Sequence, residues 1–153
     1  MTYYEDLSVY EYFDEEDVIS TETGGYIVVR PTYTRLNVGW LSDEQPFPRG
    51  TPPDGLLPAL RWLTEGQGVN LTRGWHWCEL CAPKGEEVTG NGEIRVPGAP
   101  GVVYAAPVMI THYVAEHGYL PPAEFVTALL AYHGTGDDPA LPSWVPADAE
   151  RIL

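Results

Sequence analysis

The sequence predicts an α+β fold with a small, mainly antiparallel sheet and about three helices. Short segments that are rich in β-branched residues, or that alternate apolar and polar residues, have the period of strands. Other segments repeat apolar residues at helical spacing instead. The chain has 153 residues, enough for one domain with one core. Its 16 glycines and 15 prolines favour short elements joined by long loops.

Four segments have the pattern of strands. The first, YIVVR at Tyr26–Arg30, is β-branched and apolar. The second, YTRLNVGWL at 33–41, alternates with a period of two, and the two segments could pair as a hairpin. EIRV at 93–96 and VVYAA at 102–106 follow further along the chain. These segments supply the predicted sheet.

Three segments have helical spacing. The first covers about 54–65, with Asp54 as a plausible N-cap. The second opens at Pro107, because proline is favoured in the first turn, and ends before Gly118, a C-cap residue. The third starts near Pro122 and has one apolar stripe.

The stretch RGWHWCELC, at 73–81, contains both cysteines of the chain and one of its four histidines. A C-x-x-C pair can direct two sulfurs toward one tetrahedral ion, and zinc prefers thiolate and imidazole ligands. The fourth ligand must come from elsewhere. His112 is favoured over His117 because it lies mid-helix, and five residues turn the two side chains about 140° apart. The predicted zinc ligands are His76, Cys78, Cys81 and His112.

This zinc knuckle is expected to be structural. A catalytic zinc keeps an open position beside an acid or base, a role that Glu79 could fill. However, the H-E-x-x-H and zinc deaminase patterns are absent. We therefore predict no catalytic residue, and an enzyme is the less favoured class. A thioredoxin-like dithiol and two unligated reduced cysteines are the alternatives to a metal.

The composition divides the chain into three parts. Residues 1–24 form an acidic, tyrosine-rich segment, which is either a mobile arm or an acidic edge. Residues 25–133 form the zinc-stabilised α+β domain. Residues 134–153 form a Pro/Gly-rich tail that is weakly structured apart from an anchored Trp144.

The net charge of −14 argues against binding to nucleic acids or to anionic membranes, since both require Lys and Arg. A basic protein partner is compatible with this negative charge.

No apolar run is long enough to span a membrane and no signal peptide is evident, which suggests a cytoplasmic protein. The oligomeric state is left open. The residues expected to bind a partner are Tyr10, Tyr12, Asp14, Glu15, Glu16 and Asp17.

Two further features bear on the interior. Arg73 and Arg95 stand out in a chain with 8 basic residues, and internal carboxylate partners are favoured for them over an anionic ligand.

Trp75 and Trp77 flank the first histidine of the cluster. They are expected to shield the metal by packing rather than to line a pocket or a partner surface.

Four segments together resemble a family of small bacterial proteins that is frequent in actinobacteria. The segments are LNVGWL, NLTRGWHWCELC, GNGEIRVPG and YAAPVMITHYVAEHGYLPPAEFVTALLAY, which cover roughly 36–132. The family motifs are R-G-x-H-x-C-x-x-C, E-I-R-V-P-G and H-Y-V-x-x-H-x-Y-x-P-P-x-x-F. The resemblance implies a shared fold and a metal at His76, Cys78 and Cys81, and it implies no reaction. Both His112 and His117 match the last motif, so the fourth ligand stays open.

Three functions are compatible with the sequence. The favoured one is a protein-interaction module of the immunity or accessory type, in which the acidic segment binds a basic partner and the zinc is structural. The second is a metal-dependent enzyme that uses the Cys/His site or an adjoining tryptophan-lined pocket. The third is a structural protein that responds to zinc or to redox state.

Overall fold

The computed structural model describes residues 3–13, 15–21, 23–71, 76–81 and 89–153, and it describes only the backbone of His76 and Thr89. The strands are β1 (Asp17–Ser20), β2 (Tyr26–Arg30), β3 (Thr34–Asn37), β4 (His76–Trp77), β5 (Thr89–Gly90), β6 (Glu93–Pro97), β7 (Val102–Pro107) and β8 (Glu150–Arg151). The helices are α1 (Leu56–Gly66), α2 (Ile110–His117) and α3 (Ala123–Gly134). Two 3-10 turns lie at Glu79–Cys81 and Pro142–Trp144. The predicted α+β class is confirmed.

The strands form two three-stranded sheets and one small two-stranded sheet. In the first sheet, β2 lies between β1 and β8, and both pairings are antiparallel. In the second, β7 lies between β3, which is parallel to it, and β6, which is antiparallel. Val69 bridges Ile19 of β1 and Glu93 of β6, which links the two larger sheets. The arrangement is mainly antiparallel, as predicted.

The predicted hairpin between the first two sequence strands does not form. Instead, β2 pairs with β1, and β3 pairs with β7. The connection at 31–33 lacks the glycine or asparagine that a tight hairpin turn favours. By contrast, the turn between β1 and β2 contains Gly24, whose φ of 84° lies in the left-handed region that glycine adopts without strain. Local turn chemistry therefore selects β1 as the partner of β2.

Strand β6 is buried on both faces, and alternate residues along it face two different buried regions. Ile94 and Val96 belong to the main apolar core, to which all three helices contribute. Glu93 and Arg95 point the other way and are also buried. The helix residues of this core are Leu56, Leu60, Leu63, Ile110, Val114, Phe125 and Leu129. Strand β6 therefore has an apolar core on one face and a buried polar cluster on the other.

Helices α1 and α2 begin two or three residues later than predicted. Helix α1 begins after Gly55 (φ 83°), with no side-chain cap from Asp54. Pro107 is the last residue of β7, opposite Glu93, so α2 begins only at Ile110. Gly118 has a φ of 68° and caps α2 as predicted. Within the described ranges, none of the helices has both the length and the apolar character needed to cross a membrane.

Both ends of the described chain pack against the sheets. The segment 4–10 runs beside β3, where the amide of Leu7 donates to Asn37 O (2.6 Å) and the amide of Tyr10 donates to Arg35 O (2.8 Å). Near the other end, Trp144 is buried with its ring edge-on to Tyr33. The segment 150–151 then adds β8 to the edge of β2.

The buried polar cluster is centred on Arg95, which is fully buried. Its Nη2 atom lies 2.7 Å from an oxygen of Asp17 and 2.8 Å from an oxygen of Glu93. Arg35 contacts the same Asp17 oxygen at 2.9 Å, so two guanidinium groups face two carboxylates and the charges balance. The predicted internal carboxylate partner of Arg95 is present, whereas Arg73 lies outside the described residues.

Neutral side chains complete this cluster. The hydroxyl of Tyr10 donates to Glu93 (2.7 Å), and the hydroxyl of Tyr33 donates to the second oxygen of Asp17 (2.8 Å). The side-chain amide of Asn70 donates to both carboxylates. Both guanidinium groups also lie within 5 Å of the centre of the Tyr10 ring, in cation–π contact. The carboxylates therefore have close hydrogen-bond donors, as buried charges require.

These contacts set the ionisation of Asp17. Burial alone would raise the pKa of Asp17, but the charges of Arg95 and Arg35 and their hydrogen bonds outweigh it and lower the pKa to about 2. Because this pKa lies below the ordinary value of 3.8, the carboxylate stabilises the fold above about pH 4. That stabilisation is lost as the pH falls toward 2.

Replacing Asp17 with Asn is predicted to lower the free energy of unfolding by about 3–5 kcal/mol at pH 7, because two buried guanidinium groups then share one carboxylate. Urea denaturation at pH 7 and at pH 3 measures this loss, which should shrink at the lower pH. The control is Glu150→Gln, which removes the exposed ion pair with Arg30 and should change stability by less than about 1 kcal/mol. Equal effects of the two variants at pH 7 would contradict a stabilising role for the cluster.

Candidate metal centre

Two chain segments supply the candidate metal donors. The knuckle, residues 76–81, consists of strand β4 and the 3-10 turn Glu79–Cys81. Within it, the amide of Cys81 donates to the carbonyl of Cys78 at 3.3 Å, and this tight turn keeps the two cysteines close together. Helix α2 supplies His112 from its middle and His117 from its last turn. The knuckle and α2 are separated by about thirty residues in sequence, so the cluster closes a long loop.

The four side chains converge on one point. One donor atom from each of Cys78, Cys81, His112 and His117 lies within 4.8 Å of the other three. Both histidines use Nε2, the ring nitrogen far from the backbone, and the two Nε2 atoms are 3.2 Å apart. A regular helix would point these two side chains about 140° apart, yet their rings meet, and His117 is the last residue of α2.

Four of the six donor–donor separations are close to the edges of a tetrahedral zinc site. Zinc–sulfur bonds of about 2.3 Å and zinc–nitrogen bonds of about 2.05 Å imply edges of about 3.6 Å between sulfur and nitrogen and about 3.4 Å between nitrogens. The sulfur of Cys81 lies 3.3 Å from Nε2 of His112 and 3.4 Å from Nε2 of His117. The sulfur of Cys78 lies 3.5 Å from Nε2 of His117. Two thiols and two imidazoles at these distances fit a four-coordinate metal ion.

The protonation states favour the histidines as ligands, and the Cys78 thiol would have to lose its proton to bind a metal. Burial lowers the pKa of His112 and of His117, and the neighbouring His117 lowers that of His112 further. Both imidazoles are therefore neutral at pH 7, the form that binds a metal. Burial, followed by hydrogen bonding to Cys81, raises the pKa of the Cys78 thiol to about 11. A metal ion would have to displace that proton on binding.

The centre is partly open to solvent on one side. Cys78 is buried, whereas the other three donors are half-buried. A small hollow of about 330 Å³ lies beside the knuckle and is lined by Leu80, Phe47, Arg49 and the polar stretch 42–45. The Arg49 guanidinium packs over the Phe47 ring and donates to the carbonyl of His117 at 3.3 Å. The loop at 42–49 therefore contacts the C-terminal end of α2 next to the donors.

Comparison with known proteins assigns the chain to a family. Residues 2–130 match the family model described as Domain of unknown function (DUF7919). The chain belongs to this family. No curated protein and no solved structure matches it. The matched region contains all four donor residues and the whole Arg95 cluster, and it ends within α3.

The remaining predicted metal ligand is His76. Its backbone pairs with Gly90 between β4 and β5, while its side chain lies outside the described part of the structure. Among the described residues of this DUF7919 chain, His117 joins the other three predicted ligands as a fourth donor. Trp77, which was expected to pack over the metal, is 52% exposed, and Trp75 lies outside the described residues.

The residues expected to bind a partner divide into two groups. Tyr10 and Asp17 are 2% and 0% exposed and belong to the Arg95 cluster, so they act as internal anchors instead of contact residues. Tyr12, Glu15 and Glu16 are exposed. Asp14 lies outside the described residues. The sequence did not indicate this internal role, because a buried acidic residue in 1–24 cannot be told from an exposed one without its partners on β3 and β6.

Single substitutions should identify the ligands. Cys78→Ser, Cys81→Ser, His112→Ala and His117→Ala are each expected to lower the bound metal below the roughly one ion per chain of the wild type, because each removes one of four donors. Elemental analysis of protein purified without added metal measures the content. His133→Ala is the matched control, since His133 packs on Trp62 away from the site. The same measurement on His76→Ala tests the ligand that the sequence predicts. A full metal content in His117→Ala would contradict the four-donor set.

Proposed function

We propose that this DUF7919 protein is a zinc-stabilised protein-interaction module in which the metal is structural and an acidic surface binds a basic protein. The structural role rests on one observation: four protein donors converge at tetrahedral spacing. Four donors fill a tetrahedral coordination shell, whereas a catalytic zinc keeps a position for water or substrate. Zinc is favoured over other metals because two thiols and two imidazoles suit its ligand preference.

The zinc would fix the knuckle to α2. In the described structure the knuckle is also held by a two-residue pairing between β4 and β5, by the buried Cys78, and by Leu80, which packs against the main core. Trp77, in contrast, is exposed. A bound metal adds four strong bonds at this position and thereby contributes to folding. The knuckle is thus the part of the chain whose order depends most on the metal.

The anchoring of the N-terminal segment supports the proposal that its acidic surface binds a partner. Tyr10 and Asp17 are buried as anchors, and between them Glu11, Tyr12, Glu15 and Glu16 are exposed. Hydrogen bonds to β3 hold the backbone of 4–10, and β1 begins at Asp17, so both ends of the acidic stretch are held. A stretch held at both ends loses less conformational entropy on binding. Its concentrated negative charge would also speed association with a basic partner.

Removing the metal is predicted to loosen the knuckle and α2 before the rest of the fold. Dialysis against a zinc chelator should increase backbone amide exchange in 76–81 and 110–117, while β6 and β7, which lie in the main core, keep their protection. Hydrogen–deuterium exchange with and without the chelator measures this difference, and returned zinc should restore protection. Unchanged exchange in the knuckle after complete metal loss would contradict a structural role.

Neutralising the acidic surface is predicted to weaken partner binding. The variant Glu11→Gln/Glu15→Gln/Glu16→Gln and the control Asp54→Asn/Glu65→Gln/Asp148→Asn remove the same charge from exposed positions. Each serves as bait in an extract of the source organism at low and moderate salt. A basic protein that binds the wild type should be retained by the control and lost from the first variant, with binding that declines as salt rises. Equal retention by both variants would contradict the assignment of this surface.

A further inference from the structure

Both cysteines of the chain lie in the knuckle, and their geometry allows a bond between them. The amide of Cys81 donates to the carbonyl of Cys78, which closes a tight turn. Such a turn keeps its end Cα atoms within about 7 Å, and a disulfide spans about 4.4–6.8 Å between Cα atoms. The two sulfurs already lie within 4.8 Å of each other. A disulfide within one chain therefore has to join this pair, and it requires only a small local movement.

The two cysteines differ in their exposure to solvent. Cys78 is 6% exposed, whereas Cys81 is half-buried. Leu80, which precedes Cys81, lines the hollow of about 330 Å³ beside the knuckle. Among the described residues, a small oxidant that approaches the centre therefore meets Cys81 more readily than Cys78.

A metal ion at this centre would hold both sulfurs as thiolates. The thiolate is the form of cysteine that attacks an oxidant, whereas the protonated thiol reacts poorly. Zn²⁺ itself is neither oxidised nor reduced under these conditions. Any oxidation at the centre therefore takes its electrons from the two sulfurs, and the same atoms that bind the metal are the ones that react.

We propose that the centre is a peroxide-sensitive switch, in which oxidation of Cys78 and Cys81 to a disulfide releases the zinc. This inference rests on the zinc site proposed above. The Cys81 thiolate attacks one oxygen of hydrogen peroxide, the O–O bond breaks, hydroxide leaves and Cys81 becomes a sulfenic acid. The Cys78 thiolate then attacks that sulfur, the S–O bond breaks and a second hydroxide leaves. The sulfurs together lose two electrons, which reduce the peroxide, and the zinc leaves as Zn²⁺.

The disulfide removes half of the donor set. His112 and His117 remain, but two neutral imidazoles neither fill a tetrahedral shell nor balance the charge of Zn²⁺. The knuckle then loses its metal bonds to α2. The Arg95 cluster contains no residue of the knuckle, so the sheets and the N-terminal segment stay anchored. A thiol reductant regenerates both cysteines, which makes the change reversible.

Treatment of the zinc-loaded wild-type protein with a small excess of hydrogen peroxide tests the proposal. Elemental analysis first measures the bound zinc. A chromogenic chelator then follows the zinc released beyond that of an untreated sample, and mass spectrometry after alkylation of free thiols measures the disulfide. About one zinc should leave per disulfide formed. Oxidised protein should regain zinc only after a thiol reductant, whereas protein stripped with a chelator should regain it from zinc alone.

Two further measurements identify the reacting atoms. Dimedone, which captures sulfenic acids, should label Cys81 and not Cys78 when it is present during oxidation. Met109→Leu is the matched control, because Met109 is an oxidisable residue that packs against Gly90, the strand partner of His76. This variant should release zinc at the same rate as the wild type, since leucine has a similar volume and no sulfur.

Several results would overturn the proposal. They are retention of zinc with both cysteines reduced, release of zinc with sulfinic or sulfonic acids in place of a disulfide, a disulfide between two chains, dimedone on Cys78, and loss of zinc release in Met109→Leu. Wild-type protein without zinc at the start would overturn the zinc proposal as well. Zinc that is present but insensitive to peroxide would overturn the switch alone.

Discussion

The buried guanidinium of Arg95 is the constraint on which the arrangement of the sheets depends. A charge with no exposed surface must be neutralised inside the protein, and its two carboxylates come from different strands, Asp17 on β1 and Glu93 on β6. Arg35 on β3 then balances the second negative charge. One cluster therefore fixes strands from both three-stranded sheets. The N-terminal segment becomes part of the fold because Tyr10 and Asp17 complete this cluster.

The candidate metal centre depends on the same frame. Strand β7 pairs with all five residues of β6 and leads through Pro107 into α2, so the position of the Arg95 strand influences where His112 and His117 lie. Core residues on the inner face of α2, such as Ile110 and Val114, set the rotation of the helix. The knuckle reaches these histidines from a distant part of the chain. The metal therefore joins a well-packed helix to the knuckle that carries both thiols.

Several parts of this structure were predictable from the sequence because they depend on local patterns. The strands YIVVR, EIRV and VVYAA and the glycine that ends α2 follow from strand-forming composition and from the special backbone of glycine. Strand pairing was not predictable, since the parallel contact of β3 with β7 is non-local. The burial of Asp17 depended on Arg95, 78 residues away. At the metal centre, helical spacing favoured His112 over His117, and only the tertiary position of α2 shows that both approach the thiols.

The most direct test of the zinc proposal is X-ray absorption at the zinc edge of protein purified without added metal. The account predicts a coordination shell of about two sulfurs at about 2.3 Å and about two nitrogens at about 2.05 Å, with the multiple-scattering pattern of imidazole rings. That shell would establish the four-donor structural site formed by the knuckle and α2. Absence of zinc, or a shell with a single sulfur and oxygen donors in the remaining positions, would contradict it.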